Sequence, residues 1–319
     1  MKNKIHKNIF AAIVAMVIAL FATPQKAQAQ DLYFGGVEVT QSNCNDLIAA
    51  FKNHFTQVGI FGGGYCKASG KVTFDFATNT LTLDNANITL NLNPGSLDGV
   101  VFNSSRDMLR VNLIGNNVIN SGTAAFHQAR RNGGPDPSMT FTGTGTLTIN
   151  NRGGNRSRYA AINIYVDGKM YVQCKELKVH TNFGTAIGAL YGYESNGRST
   201  LSIGSNAALI AKGRAGSIAK LNNFSMGSGY KFHTPSGARW DSRESAVCDG
   251  SGNVITDEVI CAPKDWHPST GIDNPIVNTP LTPSPKCGTY TLQGIRLTTE
   301  FSRLPRGVYI VDGKKVIKK

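Results

Sequence analysis

The sequence predicts an all-β protein: a right-handed parallel β-helix of about five to seven coils with three short strands per coil, then a Pro-rich linker and a small antiparallel β domain. Three observations carry this. A short apolar triplet recurs at intervals of 28 to 31 residues, composition turns Pro-rich after residue 261, and strand-like alternation with Gly turns resumes over residues 287–319. At 40% hydrophobic and 17% charged, the 319 residues are too apolar for a disordered chain.

Residues 1–29 have the layout of an export signal. Lys2, Lys4 and Lys7 precede fourteen uncharged residues from Ile9 to Ala22, and Pro24 leads to Ala27-Gln28-Ala29, which places cleavage between Ala29 and Gln30. The apolar run is too short to span a bilayer, and no later stretch is long enough, so no transmembrane helix is expected. Export permits disulfides, and all six cysteines lie beyond the cleavage point. Of the fifteen possible pairings, Cys44 with Cys66 and Cys248 with Cys261 close the shortest turn-rich loops and are the expected pair. No Cys-x-x-Cys occurs, the cysteine spacings are irregular, and His54, His127, His180, His233 and His267 share no ligand spacing; neither metal nor cofactor is expected.

Residues 30–70 form an N-terminal strand and cap. Asn45 is positioned to cap a helix from Asp46 to Phe55, in which Leu47, Ile48, Phe51 and Phe55 fall on one stripe, suited to plugging the end of a stack.

Residues 71–261 hold the repeats and a C-terminal cap built around Trp240 and the Cys248–Cys261 segment. Triplets start at Leu81, Leu109, Met139, Met170 and Leu201. A second apolar segment follows each one, at Ile88, Val118, Leu147, Leu177 and Leu209, and a third, small-then-apolar element closes each unit, as in Ala160-Ala161-Ile162. Period-two alternation sends apolar side chains to one face and Thr, Asn, Lys or Arg to the other. Asn and Gly between segments supply the backbone angles of sharp bends. Three strands per unit with no helix between them bury their inner faces by coiling on one another, rising about 4.8 Å per coil.

Residues 262–286 carry Pro263, Pro268, Pro275, Pro280, Pro283 and Pro285 among Ser and Thr, a composition that stays extended. Residues 287–319 alternate again, as in Tyr290-Thr-Leu-Gln-Gly-Ile-Arg296 and Gly307-Val-Tyr-Ile-Val311.

Two resemblances rest on these residues. The stretch Val72 to Thr89, with Leu113-Ile-Gly-Asn-Asn117 and Phe141 to Ile149, resembles the repeats of secreted bacterial parallel β-helix proteins described as carbohydrate-binding-domain-containing. That likeness covers roughly residues 31 to 240 and implies polysaccharide binding. The tail resembles the C-terminal sorting domain of the Bacteroidetes type IX secretion system, on Gly307, Tyr309, Gly313, Lys314 and Lys315. It implies the type IX machinery as a partner, passage across the outer membrane to the cell surface or medium, and attachment to surface lipopolysaccharide or release.

Charge and motifs narrow the function classes. The net +13 is concentrated at the ends; residues 30–285 hold 21 basic and 18 acidic residues, which removes the motive for a nucleic-acid partner. No Gly-x-Ser-x-Gly, His-Glu-x-x-His, P-loop or Gly-x-Gly-x-x-Gly occurs. The acids Asp84, Asp98, Asp107, Asp136, Asp167 and Glu194 are isolated in sequence and suit turns better than catalysis, so no catalytic residue is nominated and no enzyme is expected. Candidate glycan contacts are Arg130, Arg131, Arg152, Arg156 and Arg158 in the corner loops, whose guanidinium forks suit anionic sugars, with Tyr159, Tyr165, Tyr191 and Tyr193, whose rings can stack on sugar faces. The expected function is surface binding or adhesion to a glycan. The alternatives are a polysaccharide lyase or hydrolase and a structural surface protein without a specific ligand.

Overall fold

A computed structural model describes residues 32–57, 66–91, 99–104, 108–129, 136–152, 160–189, 197–267, 289–291, 296–297, 304–311 and 314–318. The chain divides into two compact units, Met1–Trp266 and His267–Lys319. Among the described residues, no helix is long and apolar enough to cross a membrane.

The first unit opens with a small hairpin, β1 (Leu32–Phe34) and β2 (Val37–Glu38), then the helix Leu47–Gln57, β3 (Cys66–Asp75), β4 (Thr80–Leu90) and β5 (Val101–Asn103). Coils follow: β6 (Leu109–Ile114), β7 (Asn116–Ser121) and β8 (Phe126–Gln128); β9 (Ser138–Thr142), β10 (Thr146–Asn151) and β11 (Ile162–Ile164). Next come β12 (Lys169–Val172), β13 (Glu176–Thr181) and β14 (Thr185–Ala189), then β15 (Thr200–Ile203), β16 (Ala208–Gly213), β17 (Gly216–Ile218) and β18 (Asn223–Met226). The unit ends with β19 (Tyr230–Thr234), β20 (Arg239–Asp241), β21 (Ala246–Cys248) and β22 (Val259–Pro263).

These strands stack in three parallel columns. The front half of β4 leads the first, followed by β6, β9, β12, β15 and β18; the back half of β4 leads the second, followed by β7, β10, β13 and β16; β5, β8, β11, β14 and β17 make the third. This is a β-solenoid of about four turns, counted from β4 to β15. The five to seven coils predicted are too many, because the outermost segments leave the parallel stack. At the start, β3 runs antiparallel to β4, and β1 antiparallel to β5. At the far end, β22 runs antiparallel to β16 and is followed by β19.

Inward side chains align rung on rung, and this is where the core sits. Leu81, Val111, Phe141, Val172 and Ile203 form one fully or nearly fully buried row. Burying each such side chain stabilises the fold by about 1.5–3 kcal/mol. Leu81 therefore pairs with Val111 and not with Leu109, and the 28-residue interval in the triplet starts reflects this offset. The corners behave as their composition requires: Asn79 and Asn85 have φ of 50° and 47°, and at Gly115, with φ of 64°, a side chain would collide with Asn85 Oδ1. From β8 onward the third column differs from the other two in being buried on both sides. His127 and Asn163, on its outer side, are only 7% and 1% exposed.

The N-terminal cap is built as predicted in its apolar stripe: Leu47, Ile48, Phe51 and Phe55 are buried. Phe51 packs edge-on against Phe55 and lies over Gly35, where any side chain would strike its ring. The helix is capped one residue later than predicted, for Asp46 Oδ1 accepts the Ala49 N–H at 2.9 Å. At the other end Trp240, on the β20–β21 hairpin, stacks on Phe224, whose other neighbour is Phe232. Backbone bonds from Lys264 to Gly229 and from Trp266 to Pro263 hold the chain to this unit beyond β22, past the predicted start of the linker at residue 262.

The expected disulfides are absent: Cys44, Cys66, Cys248 and Cys261 are free, buried thiols, as is Cys174. The Cys44 carbonyl accepts the Phe74 N–H, and Phe74 lies eight strand positions, roughly 25 Å of extended chain, from Cys66. Cys261 belongs to the main core, with its Sγ 3.1 Å from Met226 Sδ, whereas Cys248 sits in a separate cluster with Ala219 and Ala246. The Asp249–Asn253 turn does fold back, but it brings Val254 opposite Cys248.

The second unit contains β23 (Thr289–Thr291), β24 (Arg296–Leu297), β25 (Gly307–Val311) and β26 (Lys314–Lys318), an antiparallel sheet in the order β24-β23-β25-β26. The small antiparallel domain predicted for the tail is present. Tyr309 is buried, and its hydroxyl donates to the Pro305 carbonyl at 2.9 Å.

Candidate functional site

The outer surface of the second column carries regular polar rows. Register fixes its rows. Thr89, Asn120, Asn150, His180 and Lys212 stack in one row, with Lys67 of β3 opposite Thr89 at its head. Beside it run Asn87, Val118, Thr148 and Lys178, headed by Ser69. Parallel in-register pairing sets one side chain per rung, about 4.8 Å apart, close enough for short polar side chains to bond along the stack.

They do so. Asn150 Nδ2 donates to Asn120 Oδ1 at 3.0 Å, and Asn120 Nδ2 donates to Thr89 Oγ1 at 3.3 Å. A neighbouring pair, Thr146 Oγ1 donating to Asn116 Oδ1 at 3.1 Å, repeats the motif. These bonds hold the Asn120 and Asn150 carboxamides in fixed orientations, and each spends only one of its two N–H donors within the row. Towards the far end the row meets charge. His180 lies 3.2 Å from Glu258 and Lys212 3.4 Å from Asp257, both acids coming from the segment before β22. Burial, followed by the nearby Lys178, pulls His180 below the usual histidine range, against the opposing pull of Glu258.

At the head of the row is an open cleft of about 540 Å³ lined by Lys52, Lys67, Ala68, Ser69, Asn87, Thr89 and Asn120. Four elements build it. The helix supplies Lys52 from the side, β3 supplies Lys67 and Ser69, and β4 and β7 supply the amide and hydroxyl floor.

Of the glycan contacts nominated from sequence, the two that the structure describes fall elsewhere. Arg152 is exposed just after β10, with its N–H bonded to the Ser121 carbonyl at 2.8 Å. Tyr165 is half-buried just after β11, its N–H 3.3 Å from Gln128 Oε1. Arg152 thus lies at the end of a second-column strand and Tyr165 at the end of a third-column strand. Arg130, Arg131, Arg156, Arg158, Tyr159, Tyr191 and Tyr193 lie outside the described residues, as do the Ala29–Gln30 cleavage point and Gly313.

Stacking also joins acids that look isolated in sequence. Asp136 and Asp167 occupy equivalent positions one rung apart, and Arg198, one rung further, lies 3.7 Å from each carboxylate. The Asp167 carboxylate also accepts the Arg198 N–H at 3.1 Å. The signal for this trio, and for the polar row, is a 30- to 32-residue recurrence of polar positions, visible only once the coils are aligned.

No protein-family model, curated protein or solved structure matches this chain. The β-solenoid itself is established by strand pairing, and the likenesses of repeats and tail rest on the residues quoted for them.

Proposed function

We propose that the chain is an exported, surface-displayed glycan-binding protein that holds a polysaccharide on the outer face of its second strand column. One observation carries the proposal: the hydrogen-bonded row Thr89–Asn120–Asn150 leading into an open polar cleft. A sugar polymer is a periodic array of hydroxyls, and a row of fixed amides and hydroxyls at constant spacing meets it without the ordering cost that a loop site would carry. Binding is favoured over bond cleavage because the stacked pair of carboxylates, Asp136 and Asp167, is engaged by Arg198. Export is supported by the leader pattern before Gln30 and by the Gly307, Tyr309 and Lys315 pattern of the tail, which also support type IX passage and association with surface lipopolysaccharide.

A glycan array probed with the purified full chain tests the binding proposal. Retention of at least one polysaccharide class is expected, weakened about tenfold in N120A/N150A through loss of two or more polar contacts. No retention at millimolar sugar rejects it. Removing residues 287–319 is expected to leave the protein in the periplasm, and unchanged surface display rejects the sorting role.

A further inference from the structure

We infer that the cleft at the head of the polar row is a subsite for an anionic sugar, a uronate or a sulfated residue, whose acid group is held between Lys52 and Lys67; this rests on the glycan-binding proposal and specifies which glycans it applies to. Charge is the first reason. Two lysines from different elements line the cleft, and the lining includes no carboxylate. Among the described residues neither lysine has an ion-pair partner, in contrast to Lys212 further along the same row, which has Asp257.

Floor chemistry is the second reason. Ser69, Asn87, Thr89 and Asn120 present hydroxyls and amides, which match the ring hydroxyls beside an acid group, and no aromatic ring lines the cleft. Recognition there is therefore by charge and hydrogen bonds, without ring stacking. Position is the third. Register sets Lys67 directly beside Thr89, at the head of the bonded row, so a polymer running along Thr89, Asn120 and Asn150 delivers one residue into the cleft. A volume of about 540 Å³ is in the range of small-ligand sites and admits a short oligosaccharide.

Isothermal titration of the full chain with polygalacturonate and with uncharged dextran, at low and at high salt, tests this. Polygalacturonate is expected to bind more tightly than dextran and to weaken as salt is raised. K52Q/K67Q is expected to lose roughly tenfold in affinity for polygalacturonate, the effect of two exposed ion pairs. K231Q, a charge change on exposed β19, leaves affinity unaltered. Dextran bound as tightly as polygalacturonate, full affinity in the double variant, or an equal loss in K231Q overturns the anionic subsite and leaves glycan binding standing. No binding of either polymer, together with an empty glycan array, overturns both.

Discussion

Asn151 shows how single residues hold the coils in register. It is 4% exposed and turned inward, where its Nδ2 donates to Ser121 Oγ at 3.2 Å and its Oδ1 accepts from Thr181 Oγ1 at 3.0 Å, so one amide ties three successive rungs. N151A removes the donor to the buried Ser121 hydroxyl and one partner of Thr181 Oγ1, which keeps its bonds to Phe183, and is expected to cost about 1–3 kcal/mol, read as a lowered midpoint in urea unfolding; an unchanged midpoint refutes the tie. His180 makes a pH-dependent prediction. Its folded-state value lies below the 6.5 of the unfolded chain, so as pH falls through 6.5 protons bind the unfolded chain first and folding loses stability until the folded-state value is passed. The melting temperature should drop more between pH 7.5 and pH 5 in the natural protein than in H180Q, and parallel drops would refute it. Burial pushes the thiols of Cys66, Cys174 and Cys261 up to about 12, so native protein at pH 8 should leave all three unalkylated while unfolded protein reacts. Peptide mass mapping decides this.

At the scale of elements, the end structures decide whether the stack closes. Phe51 is fully buried between Phe34, Phe55 and the hairpin at Gly35, and F51A is expected to cost about 3–5 kcal/mol, seen as a large fall in thermal midpoint. A loss below about 1 kcal/mol would mean that the helix is not a plug. The helix stripe and the strand triplets were legible because apolar periodicity is a local property that depends on neighbouring positions alone. The pairing of Leu81 with Val111 was not legible, because turns between strands vary in length and a triplet alone does not fix the count. Proximity in sequence also misled for the cysteines: between Cys44 and Cys66 the chain enters β3 at its far end, and extended strands carry close neighbours apart. The polar row and the Asp136–Asp167–Arg198 trio were hidden for the opposite reason. Their members are thirty residues apart, and they become neighbours only through exact coil alignment, which outward polar residues do not announce.

For the whole molecule, the two compact units make a separable prediction. Residues 32–266 close their own core, and removing 267–319 is expected to leave the main calorimetric transition within a degree or two of its place, whereas a shared transition that collapses on truncation would refute the division. Solenoids gain stability coil by coil, so damage at one end should fray that end first. The reversed strands at the two ends have a further consequence. A stack whose every rung points the same way offers its last rung as a template for the next molecule, and growth into fibres follows. Here β3 and β1 at one end, and β22 over the second column at the other, present neighbours running in the opposite sense, so a second molecule arriving in the stacking direction finds no complete ladder to extend, although β18 and β17 end the other two columns in the parallel sense. Chains that begin at β4 and end after β18 should lose both stops and polymerise end to end.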